Sequence, residues 1–416
     1  MITRRGFLGL PAALLPLSSC GDGEPGAACS IVLDVETDVA SVVVWSATAT
    51  HAVLTVATPA GAIAGRWQVP LGPGGVGVVH ARGLRPATAY VASLGLDDEQ
   101  VLAPHRFVTA PAVDDPRPVR LAWSADIDPD PAYASPIFET LAAQAAEAYV
   151  SLGDWPYADN PPWPDSLDGF RERHAWARGA PVLQPWLHGT SVRAILDDHE
   201  VRNDWDAGTY AAEPERHAAA LAAWDEWFPR RGGGPRYQRW RWGAHLECFL
   251  LDTRSHRSAQ GDPDGPVKTM LGEVQRRWLV DGVTASAAPF KLVFTTVPLD
   301  FGHGTDHWAG YLTERDAILD ALAAAATPGV IFLSADQHWF GAYRHRLGAR
   351  EVQVGPLSRA PAPLPPMRPG ILARSAEYNF GLLDAAAGEL LVRVLGAAGD
   401  VLWDERFAPD DLTLRG

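Results

Sequence analysis

Six times along the chain an apolar, strand-like run ends at an acidic residue. The runs are Val119–Trp123 before Asp126, Ala148–Leu152 before Asp154, and Val192–Leu196 before Asp197 and Asp198. Leu246–Leu251 then precedes Asp252, Lys291–Thr296 precedes Asp300, and Val330–Leu333 precedes Asp336. Short runs of Val, Ile, Leu and Phe read as buried strands, and the residue just beyond each run sits at the strand's carboxyl end. Layered α/β folds build their sites along that edge, so acids far apart in sequence are expected in one cleft. Converging carboxylates repel one another unless a cation lies between them, and the pattern therefore predicts a polynuclear metal site.

The ends and the charge narrow the classes further. Residues 1–20 read as an address: Thr3-Arg4-Arg5-Gly6-Phe7-Leu8 has a twin-arginine pattern, and the apolar stretch to Leu17 is too short to span a bilayer. Leu17-Ser18-Ser19-Cys20 resembles a lipoprotein cleavage box, with Cys20 as the lipidated residue. The expectation is twin-arginine export and a membrane anchor at the periplasmic or extracellular face. A net charge of −15 argues against a nucleic-acid partner, because phosphate-backbone binding needs a basic face. Cys29 and Cys248 are expected as unpaired thiols. Oligomeric state has no signature in the sequence.

Residues 30–110 alternate in short β-type runs: Ser41–Trp45, Val53–Thr58, Val76–His80, Thr88–Leu94 and His105–Thr109. With the turn Gly83 to Tyr90 they predict a fibronectin- or Ig-like sandwich without site-like acids. Residues 111–118 read as a linker, and 119–416 as an α/β catalytic domain of two central sheets flanked by helices. Helices are expected from Ser135-Pro136 to about 147, with Ser135 as cap and Ile137, Leu141 and Ala145 buried, and over 211–227, 272–284 and 313–325. The tail, Tyr378–Leu383 and Glu389–Phe407, is expected to close the second sheet. Pro361–Pro369 reads as a surface loop.

The densest cluster is Asp197-Asp198-His199-Glu200-Val201-Arg202-Asn203-Asp204. With Gly153-Asp154-Trp155-Pro156-Tyr157, Asp252-Thr253-Arg254 and Ser334-Ala335-Asp336-Gln337-His338, it resembles the PhoD-type alkaline phosphatases, a branch of the calcineurin-like metallophosphatases. Leu271-Gly272 with Gln275, and Trp308-Ala309-Gly310-Tyr311 with Arg315, extend the likeness. The resemblance implies an exported, metal-dependent phosphoester hydrolase, an alkaline phosphatase or phosphodiesterase. It assigns Asp154 to bridging metals, Tyr157 to a phenolate ligand toward Fe³⁺ with Ca²⁺ nearby, and Asp198, Asp336 and His338 to metal, with Asn203 as a further candidate. His199 would serve the phosphoryl oxygen or the leaving group. The family's cysteine after the first-strand serine is Ala125 here, and Asp126 is the expected substitute.

Carboxylate, phenolate and imidazole form a hard donor set suited to Fe³⁺, Ca²⁺ or Mn²⁺. Two cations about 3.5–4 Å apart yield a metal-activated hydroxide, so no Ser or Thr nucleophile is needed. Arg254, with Arg257 in reserve, is expected to fork onto the phosphate. Asp252 is left between pairing with Arg254 and a phosphate role. His303, His307 and His345 read as surface histidines, Asp128 and Asp130 as solvated turn residues, and His188 as a cleft residue. Trp155 and Trp339 fit either packing or the cleft rim. Alternative readings are a phospholipase-like phosphodiesterase, for which a lipid anchor would place a phospholipid at hand, and an anchored binding module with a decayed site.

Overall fold

The computed structural model describes residues 27–97 and 100–416; the twin-arginine stretch and Cys20 lie outside the described residues. The six acid-terminated runs form six strands, each within one or two residues of the expected limits. They fall into two sets of three parallel neighbours. Val119–Ser124, Ala148–Ser151 and Ser191–Ala194 sit side by side in a nine-stranded sheet. Leu246–Leu250, Phe290–Phe294 and Val330–Ser334 do the same in a seven-stranded one.

The side chains explain the layering. Along the first strand Leu121 and Trp123 face the second sheet, where they meet Leu250, Leu292, Phe294 and Leu333 in one core. Ala122, between them, points to the opposite face and packs with Ile137, Phe170 and Trp227 of the outer helices. The second sheet repeats this, placing Phe249, Val293 and Phe332 against Leu279, Ile318 and Leu322. Strands buried on both faces read as continuous apolar runs, which is why they stood out in the sequence. Removing one leucine side chain from such a layer typically costs about 2–5 kcal/mol, a large part of a domain's usual margin of about 5–15 kcal/mol.

The sandwich strands attach to this scaffold. Ala28–Leu33, Val39–Ser46 and Val76–Arg82 face the sheet built by Ile63–Pro70, His51–Ala57, Ala89–Leu96 and His105–Val108, over a core that includes Val42, Val44, Leu54, Val56 and Phe107. The Tyr90 hydroxyl accepts a hydrogen bond from the Arg85 backbone at 3.0 Å, fixing the turn expected there. Ala28–Leu33 also runs parallel to Ser191–Ala194, with Leu33 opposite Val192, so three sandwich strands end the nine-stranded sheet.

Several expectations change. The tail strands Asn379–Ala386, Glu389–Gly396 and Val401–Phe407 extend the first sheet, with Gly381 opposite Trp123. A Cβ on Gly381 would lie 2.1 Å from the Trp123 ring, so only glycine lets this pairing form. The helix after Ser135 spans Ile137–Ala143; Pro136 is its cap, and the Ser135 hydroxyl is buried without a partner among the described residues. Ala145, with φ +50, lies outside the helix and is exposed. The helix expected over 211–227 is divided by Pro214 into Ala207–Ala212 and Pro214–Trp227. Helix Leu167–Gly179 escaped the sequence reading because its buried face carries His174 and Arg178 beside Phe170 and Ala177, which erases the apolar stripe. Cys29 and Cys248 are buried free thiols.

Candidate metal centre

The strand ends turn sharply inward. Asp126, Asp154, Asp336 and His338 all adopt left-handed backbone, with φ of 62, 56, 76 and 60. Side chains other than glycine rarely take this conformation, and such strain persists where surrounding structure imposes it, often at functional sites. Gly153 has φ +101, and a Cβ there would lie 2.4 Å from the Asp197 Cβ, so the glycine before Asp154 is required for two loops to meet. Glu200 pins the same loops by accepting the backbone N–H of Trp155 and of Asp197, each at 2.9 Å. Burial pushes its carboxyl up to about 7, although both bonds act to lower it.

Four overlapping groups of donor atoms result, each with its atoms within 4.8 Å of one another. They are Asp126 with Asp154 and His338, Asp154 with Asp198 and His199, Asp197 with Asp198 and Asp336, and Asp198 with Asp204 and Asp306. Asp154 is shared by two groups and Asp198 by three. The Tyr157 hydroxyl is 3.1 Å from His338 Nε2, which is 3.6 Å from Asp126 Oδ1. Most of these residues border an open cavity of about 490 Å³ that also includes Asn203. Asn203 is an exposed rim residue whose backbone N–H donates to Asp159 Oδ2 at 2.8 Å.

The electrostatics fit a bound cation. Both Asp126 oxygens and Asp198 Oδ1 are buried without a hydrogen-bond partner among the described residues. An unsatisfied buried polar atom costs about 1–3 kcal/mol, and more when charged. Burial first, and then the charges of neighbouring aspartates, raise the carboxyls of Asp126, Asp154 and Asp336 well above the usual range. Burial, with Asp154 and Asp126, likewise holds the Tyr157 phenol protonated. Cations would reverse each of these penalties, and the donors are carboxylate, phenol and imidazole throughout.

His199 sits at the mouth of this cluster. Its Nδ1 is 2.8 Å from Asp159 Oδ1, and its Nε2 is 3.9 Å from Asp154 Oδ2. Burial works against the imidazolium, but Asp198 and Asp159 overcome it and raise the pKa to about 9.

Arg254 and Arg257 require correction. The Arg254 side chain is 0% exposed. Its Nε and Nη2 donate to Asp197 at 2.7 and 2.9 Å, and its Nη1 and Nη2 to Asp306 at 2.9 and 2.6 Å. Arg257 is equally enclosed, pairing with Asp306 and donating to Thr253 O. Neither lines the cavity; both are buried behind it and engaged by carboxylates, with Arg254 Nη2 3.6 Å from Asp198 Oδ2. Asp252 Oδ1 accepts from the backbone N–H groups of Arg254 and Ser255, which makes it a turn cap.

Other side chains move too. Asp128 is buried, paired with Arg359 and accepting from Asn160 Nδ2, while Asp130 caps a short turn at the surface. His307 is buried and His345 is paired with Glu351, whereas His303 is on the cavity rim. His188 packs against His105 of the sandwich, 4.7 Å between ring centroids. Trp155 and Trp339 are both fully buried packing residues. The Pro-rich loop brings Ala362 to the rim, its N–H donating to His338 O. Asp159, Asp306 and Arg359 went unrecognised. Asp159 lies two residues past Tyr157 and Asp306 two residues before Trp308-Ala309-Gly310-Tyr311, so both border motifs, whereas Arg359 occupies a loop without strand or motif context.

Gly355 offers a test of the centre. It has φ +98, and a Cβ there would lie 2.4 Å from Asp126 Oδ2. Gly355→Ala is expected to displace that carboxylate and lower metal affinity about 10–100-fold, as disturbed ligand support commonly does. Metal titration of the purified variant checks this, and unchanged affinity would remove Asp126 from the ligand set.

A model of the PhoD-like phosphatase family matches residues 130–360, more than half of the chain. Alkaline phosphatase D of Bacillus subtilis (strain 168) is 27% identical over 211 residues. That alignment covers 42% of this chain and only 35% of the relative's length. A solved structure of PhoD superposes with a TM-score of 0.81 at 18% identity, covering 96% of this chain and 93% of its own. The purple acid phosphatase PPD1 from yellow lupin (Lupinus luteus) seeds has a TM-score of 0.67 at 13% identity, covering 94% and 76%. The last two likenesses establish a shared fold, a metallophosphatase sandwich with an N-terminal β unit.

Proposed function

The chain belongs to the PhoD-like phosphatase family, and from that premise we propose that it hydrolyses phosphoesters at the centre formed by Asp126, Asp154, Tyr157, Asp198, Asp336 and His338. The observation that carries this reading is the set of unpartnered buried oxygens on Asp126 and Asp198 beside an open cavity that also receives His199. Bound metal ions would neutralise the phosphoryl oxygens and lower the pKa of a water.

The chain's own residues then have separable tasks. Asp154 and Asp198, each belonging to more than one donor group, hold neighbouring positions together. Asp159 fixes the His199 ring by its bond to Nδ1, leaving Nε2 directed at the Asp154 side of the cavity. As a water oxygen bonds to phosphorus, the ester P–O bond breaks and the departing oxygen takes the proton carried by His199. The water's own proton leaves to solvent. The carboxylate of Asp159 on Nδ1 favours the protonated imidazole that this role needs.

The all-oxygen-and-nitrogen donor set favours Fe³⁺ with Ca²⁺, or Mn²⁺, over thiolate-seeking metals. Ala125, which stands where the family has a cysteine, is buried in the intersheet core and offers no ligand, so the choice of metal rests on the oxygen and nitrogen donors alone. Elemental analysis, with activity on a panel of phosphomonoesters and diesters before and after prolonged chelation, tests the reading. Cleavage should vanish with the metal and return on its restoration. A chelated, metal-free protein that cleaves at full rate would overturn the proposal.

A further inference from the structure

Tyr157 lies in the loop between strand Ala148–Ser151 and helix Leu167–Gly179, three residues past Asp154. A loop aims a side chain less tightly than a strand or helix does, so the phenol needs neighbours to hold it. Two are present. The His199 ring packs against it, with centroids 4.3 Å apart. The Arg359 guanidinium stands between two phenol rings, 4.3 Å from the centroid of Tyr157 and 4.7 Å from that of Tyr133. Packed in this way, the Tyr157 hydroxyl reaches to 3.1 Å from His338 Nε2.

Arg359 is itself fixed at both ends. Its Nη1 pairs with Asp128, whose side chain is fully buried, and its Nη2 donates to Asn160 Oδ1 at 3.3 Å. Asn160 closes the circuit, with Nδ2 donating to Asp128 at 3.1 Å and its backbone N–H to Tyr157 O at 3.3 Å. Behind the side chain, the N–H groups of Leu357 and Ser358 donate to the carbonyls of Ala125 and Asp126 at 3.1 and 3.0 Å. One residue thus joins the loop that carries Asp126 to the loop that carries Tyr157. A guanidinium can lie flat on a ring while its edge forks onto a carboxylate, and a lysine ammonium has no such flat face.

We propose that Arg359 is a positioning residue for the metal centre: held by Asp128 and Asn160, it packs on the Tyr157 ring and keeps the phenol oxygen where a metal ion can use it. Arg359 does not line the cavity, so it acts through Tyr157 and not on the phosphoester. The proposal rests on the metal-dependent reading above and deepens it by naming what aims one of its ligands.

A double-mutant cycle with metal affinity as its readout tests this. The ion that elemental analysis identifies, Mn²⁺, Ca²⁺ or Fe³⁺, is titrated into the chelated protein. Arg359→Ala should weaken binding about 10–100-fold, the usual effect of removing a ligand's outer partner. Tyr157→Phe keeps the ring but removes the donor, and in that background Arg359→Ala should change affinity less than about twofold. General loosening of the fold would instead cost the same factor in both backgrounds, and that result would overturn the proposal. Arg359→Lys keeps a charge opposite Asp128 without the flat face. It should still bind metal more weakly than the wild type, and it carries the cycle if the alanine variant fails to fold. Wild-type affinity in either Arg359 variant, or in Tyr157→Phe, would also overturn the proposal. If the wild-type protein binds none of the three ions, the metal-dependent reading itself fails, an outcome distinct from those.

Discussion

His199→Ala is expected to lower kcat by about 10²–10⁴-fold, the usual contribution of a positioned acid–base group, while the protein keeps its metal. The expectation follows from where the ring is held. Its Nδ1 is engaged by Asp159 at 2.8 Å, and its Nε2 stands 3.9 Å from Asp154 Oδ2 at the cavity mouth. Asp198→Ala should behave differently, although the two residues are adjacent. Asp198 belongs to three of the four donor groups and has a buried oxygen with no partner among the described residues. Its loss should empty the centre and reduce activity in proportion, because ligand loss weakens the hold on the ion. Metal content and kcat measured on both purified variants separate the roles. An empty His199→Ala protein beside a loaded, slow Asp198→Ala protein would exchange them, and two fully active variants would place the chemistry elsewhere.

Arg254→Ala should destabilise the fold by about 3–5 kcal/mol, the range for removing one partner of a buried ion pair. The side chain is 0% exposed, and its guanidinium serves both Asp197 and Asp306, so truncation leaves the buried Asp197 carboxylate without its cation. Asp306 keeps Arg257 and Gln260, but Asp197 retains only the Thr296 hydroxyl and no ion pair among the described residues. Denaturant unfolding of the metal-loaded protein measures the loss. Arg254→Lys should recover part of it by restoring charge without the fork. A variant as stable as wild type, with only KM raised, would return Arg254 to the phosphate-binding role expected from its motif.

The layered fold was legible because burial on both faces leaves uninterrupted apolar runs, and each such run here stops at a polar residue where the strand leaves the core. Asp126, Asp154, Asp198 and Asp336 all stand just past such runs. Where burial and polarity do not coincide, the reading failed. Helix Leu167–Gly179 hides His174 and Arg178 on its inner face, and Asp128, alternating with prolines, looked solvated but is buried against Arg359.

The sequence by itself determined the six strands that lead to acidic residues, that these ends carry hard donors, and that His199 stands among them. Those properties follow from residue chemistry and from spacing along one chain. Only the tertiary structure decided which of the polar groups face the cavity. Arg254 and His199 both follow strand ends, yet one is drawn beneath the site by Asp197 and Asp306 while the other is held at its mouth by Asp159. That choice depends on carboxylates 40 to 57 residues away in sequence, brought near by sheet packing. Partners at such separations leave no pattern in a linear reading, because the pairing exists only once the two sheets have closed on each other.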